Sequence, residues 1–95
     1  IIWVESEKSA SMMNSIKKWK IETLEEIDTF CDWVAVKTPW TNTFKIVKKV
    51  VDDFIKVSDW LTATALLWLL DDQWIITEPS WSLSIAGLEL VKDQI

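Results

Sequence analysis

The sequence predicts an α+β domain that is mainly helical. Through most of residues 9–72 the apolar residues recur three and four apart, the period of a helix with one buried face. Residues 74–85 have a different texture: a β-prone run, a Glu-Pro-Ser turn and a period-two stretch, which together read as a two-stranded hairpin. The chain is 95 residues long, the size of one domain, and buries about two-thirds of its unfolded surface. The expectation is a single domain over 1–95, a helical bundle plus a C-terminal two-stranded hairpin. If 74–85 is helical instead, the chain is an all-α bundle of five or six helices.

Ile1 to Val4 is β-prone and reads as a short strand or a loose end. From Ser9 to Lys20, Met12, Met13, Ile16 and Trp19 share one side of a helix and Lys17, Lys18 and Lys20 the other. Thr23 and Glu26 have the spacing of a capping box, in which hydroxyl and carboxylate each accept an end N–H. The helix they open places Leu24, Ile27, Phe30, Cys31 and Val34 on one stripe and Glu22, Glu25, Asp28 and Asp32 outside. Pro39 marks a stop. A third helix over 41–56 has Phe44, Val47, Val50, Val51 and Phe54 inside, with Lys45, Lys48, Lys49, Asp52 and Asp53 outside. Ser58 is the expected N-cap of a fourth, 59–72, which is apolar nearly all round and therefore expected to be central and buried. Trp74 to Thr77 and Trp81 to Ile85 form the two expected strands about the turn at Glu78-Pro79-Ser80, and Leu88, Val91 and Ile95 share the face of a closing helix.

This order of elements resembles a winged helix-turn-helix domain. Phe54 to Ile75, with its Lys56-Val57-Ser58 turn, looks like the second helix, turn and recognition helix of that family. Asp71-Asp72-Gln73-Trp74-Ile75 looks like the lead into the wing, and Ser84-Ile85-Ala86-Gly87 like the step into a trailing helix. The resemblance covers residues 23–92, with 1–20 as an N-terminal extension containing a helix. It implies DNA binding, but the chemistry departs from the pattern. The outward positions of the would-be recognition helix are Trp60, Ala63, Thr64 and Leu67, none of them the Arg, Lys, Asn or Gln that read bases and phosphates. Lys56 and Gln73 stand where the family usually has glycine.

Composition narrows the functional classes. Ten Lys stand beside no Arg, eight Trp beside no Tyr, and there is no His and one Gly, Gly87. Average usage of glycine is about 7%. A procedure selecting sequences for one backbone produces this pattern readily. The expectation is therefore a designed protein with a Trp-rich core and no evolved function, and not an enzyme; the alternatives are a DNA-binding regulator and a protein-interaction or dimerisation module. Net charge is −5, against the basic footprint of nucleic-acid binders. The charge is segregated, +2 over 1–20, −5 over 21–36, +3 over 37–58 and −5 over 59–95. Cys31 is the lone cysteine, so no internal disulfide forms. Leu61 to Leu70 is too short an apolar stretch to span a bilayer, and the first residues show no secretory signal. Localisation is left open.

Candidate site residues are few. Lys45, Lys48 and Lys49 are the densest basic cluster and the candidates for phosphate contact under the DNA-binding alternative, although a solvated helix face accounts for them as well. Trp60 and Leu67 are the candidate apolar interface, with weak self-association as the expected consequence. Trp33, Trp60, Trp68, Trp74 and Trp81 are expected mainly as core filling. Ser15-Ile16-Lys17-Lys18 matches a Ser-x-x-Lys pattern without its companion motifs. Neighbouring carboxylates such as Asp52-Asp53 and Asp71-Asp72 diverge on a helix and do not chelate together. No catalytic residue, cofactor or metal ligand is assigned, and no partner is expected.

Overall fold

The computed structural model describes residues 1–95 as two parallel strands with helices on both faces. Strand β1, Ile2–Ser6, is followed by helix α1, Ser11–Lys18, and helix α2, Thr41–Val50; strand β2 is Asp53–Val57, and helices α3, Asp59–Gln73, and α4, Pro79–Val91, close the order. The strands pair in register from Ile2↔Asp53 to Ser6↔Val57. Side chains alternate across a strand, so Trp3 and Phe54 share one face and Val4, Ile55 and Val57 the other. On the first face sit Met12, Phe44 and Val47, from α1 and α2. On the second, Leu83 and Ala86 of α4 pack with Val57, Cys31 and Val4. The chain thus crosses from β1 to β2 over one face and leaves β2 across the other, the winding of an α/β sheet.

This corrects the expected hairpin and helical bundle. The alternation Trp81-Ser82-Leu83-Ser84-Ile85 lies within α4, whose buried residues Ser82, Leu83, Ala86, Gly87 and Val91 recur at helical spacing. Small serines inside the apolar run mimic a strand. The deciding signal is Glu78-Pro79: the Glu78 carboxylate accepts the Trp81 N–H at 2.8 Å and Pro79 occupies the first turn, where its missing donor costs nothing. Residues 74–77 are irregular. The all-α alternative fails as well, because Ile2–Ser6 and Asp53–Val57 pair as β1 and β2.

Two further expectations change. Residues 21–31 form no helix. Thr23 Oγ1 bonds Thr38 Oγ1 at 2.9 Å, the Leu24 N–H reaches the Lys37 carbonyl at 2.9 Å, and Asp28 folds back on the Phe30 N–H at 2.8 Å, so the capping groups serve a loop instead. Helix α2 stops at Val50 and Phe54 passes into β2, because pairing with β1 outweighs continued helical spacing. Ser58 does cap α3, its hydroxyl accepting the Leu61 N–H at 3.2 Å.

Helix α3, expected to be buried, buries only Thr62 and Leu69. Trp60 and Leu67, the expected apolar patch, are exposed; Trp33, Trp74 and Trp81 are exposed too, which contradicts the Trp-rich core. Each strand also has one unpaired edge. Parallel sheets are ordinarily covered on both faces and extended by further strands, whereas these two strands keep open edges and α3 keeps an uncovered apolar surface.

Candidate functional site at the carboxyl edge of the strands

In a parallel α/β sheet the functional edge is where the strands end at their carboxyl termini. Here that edge lies beyond Ser6 and Val57. Three loops meet there: the turn Glu7–Ser9 after β1, the segment from Asp28 to Val34, and the start of α4 at Glu78 and Ser80. The hinge between the last two is a hydrogen bond from the Trp33 N–H to Ser80 Oγ at 3.1 Å. Ser82, fully buried, donates to the Pro79 carbonyl at 3.0 Å and approaches the Thr62 carbonyl at 3.4 Å, fixing the first turn of α4 against α3.

A charged group fastens the loops. Lys8 Nζ lies 3.4 Å from Asp28 and 3.4 Å from Asp59, and Ser6 Oγ points to Asp59 at 3.5 Å. Burial, then the neighbouring Asp28, raises the Asp59 carboxyl above its ordinary range, with Lys8 opposing. Asp28 is lowered, chiefly by the hydrogen bond from Asp59 and then by the Phe30 N–H. Of the pair, Asp59 is therefore the one that takes up a proton first as pH falls, and the two carboxylates hold Lys8 charged.

Behind this edge is Cys31, its thiol pushed up to about 11 by burial first and then by the carboxylates of Asp59, Glu78 and Asp28. A thiol of that kind stays neutral near pH 7 and is no nucleophile. On the other side of the sheet Glu5 accepts the Met12 and Met13 N–H groups at 3.0 Å each, closing the N-terminus of α1, where a negative charge is favourable. Burial raises its carboxyl pKa and these two bonds oppose the rise.

An apolar groove of about 430 Å³ lies elsewhere, between α3 and α4, lined by Leu61, Ala65, Trp68, Ile85, Leu90 and neighbours. It gathers one carboxylate, Glu89, and no set of converging polar groups, so it is packing surface and not a chemical site. The residues singled out in the sequence are not at the carboxyl edge. Lys45, Lys48 and Lys49 lie on α2, with Lys48 Nζ 4.8 Å above the Trp19 ring and 5.4 Å from that of Phe44. Trp60 and Leu67 lie on the uncovered side of α3. The structure does not bring either set to the edge. What sequence reasoning missed is Ser80 and Glu78, and their signal was the Glu-Pro start of a helix.

The fold is a wound α/β unit, two parallel strands with helices on both faces. No protein-family model matches the chain. Particular proteins do. The whole chain is 39% identical over 95 residues to the biosynthetic L-threonine dehydratase of Bacillus subtilis, and covers 22% of that protein. In structure it superposes on a threonine deaminase of Solanum lycopersicum with TM-score 0.90 at 31% identity, over 97% of this chain and 28% of that one. It also superposes on maize serine racemase with TM-score 0.85 at 25% identity, over 92% and 27%. The chain thus spans between about a fifth and three-tenths of the length of these relatives. Natural relatives at this identity overturn the expectation of a designed sequence, and the winged-helix resemblance falls with the hairpin. The relatives are enzymes, so the expectation of a non-enzymatic chain is corrected too. No helix is long and apolar enough to cross a membrane.

Proposed function

We propose that this chain is a segment of the catalytic body of an enzyme that releases ammonia from a hydroxy amino acid such as threonine, and that its carboxyl edge contributes to the active site. The observation that carries the reading is the 39% identity over the entire chain to a threonine dehydratase. The unpaired strand edges and the uncovered α3 support a place inside a larger sheet. The same unit recurs in a serine racemase, and a segment common to two reactions on hydroxy amino acids belongs to their shared body more naturally than to an appended regulatory module.

In this reading Ser80 and the Trp33 backbone hold the loop and the helix start that face the substrate, and Lys8, Asp28 and Asp59 hold the loops in position. The larger part of the protein supplies the remaining groups. The test is an exchange: this segment replaces the matching one in the Bacillus enzyme, and ammonia release from threonine is followed. Retained turnover that Ser80→Ala then lowers supports the catalytic reading. Turnover indifferent to Ser80→Ala, with altered response to the enzyme's effectors, assigns the segment to regulation instead.

A further inference from the structure

We infer that Trp19 and Trp74, and with them the exposed Trp33, Trp40, Trp60 and Trp81, stand at glycine positions, because the codon that gives tryptophan in this chain is one that the source organism reads as glycine. The backbone carries the inference furthest. The chain has two non-glycine residues with positive φ, Trp19 at 57° and Trp74 at 58°, and both are tryptophan. Each is the left-handed residue just past the end of a helix. After α1 the Lys20 N–H returns to the Ser15 carbonyl at 3.2 Å and the Trp19 N–H to Ile16 at 3.2 Å; after α3 the Ile75 N–H returns to Leu69 at 2.9 Å. The first is a six-to-one closure and the second is one residue wider, and both turn the chain through a left-handed residue just past the helix, the position where glycine is most at home. A bulky residue there is a conformational outlier, whereas glycine enters freely for want of a Cβ.

Composition and exposure agree with the backbone. Eight Trp accompany one Gly in 95 residues, so glycine is missing and tryptophan is in surplus; the ordinary glycine share is about 7%. Tryptophan is highly buried on average, yet Trp19, Trp33, Trp40, Trp60, Trp74 and Trp81 are 75, 83, 78, 79, 87 and 74% exposed. These side chains neither fill a core nor relieve their backbone. The triplet UGA is a stop in the standard code, tryptophan in some organisms and glycine in others. One reassigned triplet exchanges the two residues at every such site together, which is the joint pattern seen here. The natural relatives remove design as the alternative source of that pattern. Nothing in the structure explains the accompanying absence of Arg, His and Tyr.

The inference stands on backbone and composition and does not depend on the proposed function. It deepens that reading at one place. With glycine at 33 and 81, two indoles leave the carboxyl edge and bare backbone flanks Ser80 and Glu78, which gives a substrate room to approach. The test is tandem mass spectrometry of peptides from the protein purified from its source organism, beside the sequence of its gene. Glycine at 19 and 74, encoded by UGA, is the expected result, and the same at 33 and 81. Tryptophan at 19 or 74, or UGG codons there, overturns the inference. Neither result turns on whether the enzyme acts on threonine, so this inference and the proposed function fail separately.

Discussion

The Trp33 N–H donates to Ser80 Oγ at 3.1 Å, and this single bond ties the turn after Cys31 to the first turn of α4 across 47 residues of sequence. Its donor is a backbone group, so the side chain at 33 is irrelevant to it and the hydroxyl at 80 is not. Ser80→Ala in the whole protein is expected to cost about 1 kcal/mol of stability, the net worth of one hydrogen bond. Under the proposed function it lowers kcat/KM for threonine by a larger factor than that stability loss accounts for. Denaturant titration alongside steady-state kinetics separates the two.

Gly87 is placed by contact and not by conformation. A Cβ there would sit 2.9 and 3.0 Å from the two methyls of Val4 and 3.1 Å from Ile55 Cδ1. Alanine in mid-helix gains roughly 0.5–1 kcal/mol over glycine, but overpacking costs typically 1–3 kcal/mol. The Val4 methyls sit on a stiff β-branched stem in a paired strand, so they yield little. Gly87→Ala is therefore expected to destabilise by about 1 kcal/mol, the balance of these two magnitudes, and Gly87→Leu by more, both read from urea midpoints.

Glu5 gives the fold a pH dependence with a definite sign. Burial raises its carboxyl in the folded chain. Between the ordinary glutamate value and that raised one, the folded state holds more proton than the unfolded state. Stability from this group is therefore fully present below the ordinary value and falls as pH rises through the raised one. Glu5→Gln is expected to flatten that part of the stability–pH curve, and an unchanged slope would remove Glu5 as its source.

Cys31 is expected to be inert while the protein is folded. Its side chain is buried and its thiol is pushed up to about 11, so thiolate is scarce and access is closed near pH 8. Reaction with a thiol reagent is expected to be slow in buffer and rapid in denaturant. Rapid labelling of the native protein would show that the segment opens locally.

Much of the helical content was legible in the sequence. Ser58 announced α3 through its cap, and Phe44 with Val47 announced the inner face of α2. The sheet was not legible, for a physical reason: Ile2–Ser6 and Asp53–Val57 pair across the whole of α1 and α2, and no local signal specifies a parallel partner. Phe54 fitted the helical spacing of α2 as well as the strand it joins. In α4 the serines at 82 and 84 broke the helical stripe into a false alternation, and only Glu78-Pro79 held the correct answer. The candidate edge was hidden with the sheet, because Ser80, Asp28 and Asp59 become neighbours only when β1 and β2 end side by side. The tryptophans misled most. Apolar mass predicts burial, but at 19 and 74 the backbone requirement is that of glycine.

The most direct measurement of the central claim is ammonia release from threonine by the whole protein that contains this segment. Turnover of threonine that Ser80→Ala diminishes while the fold persists is the expected result. A folded whole protein that releases no ammonia from threonine or serine would contradict it.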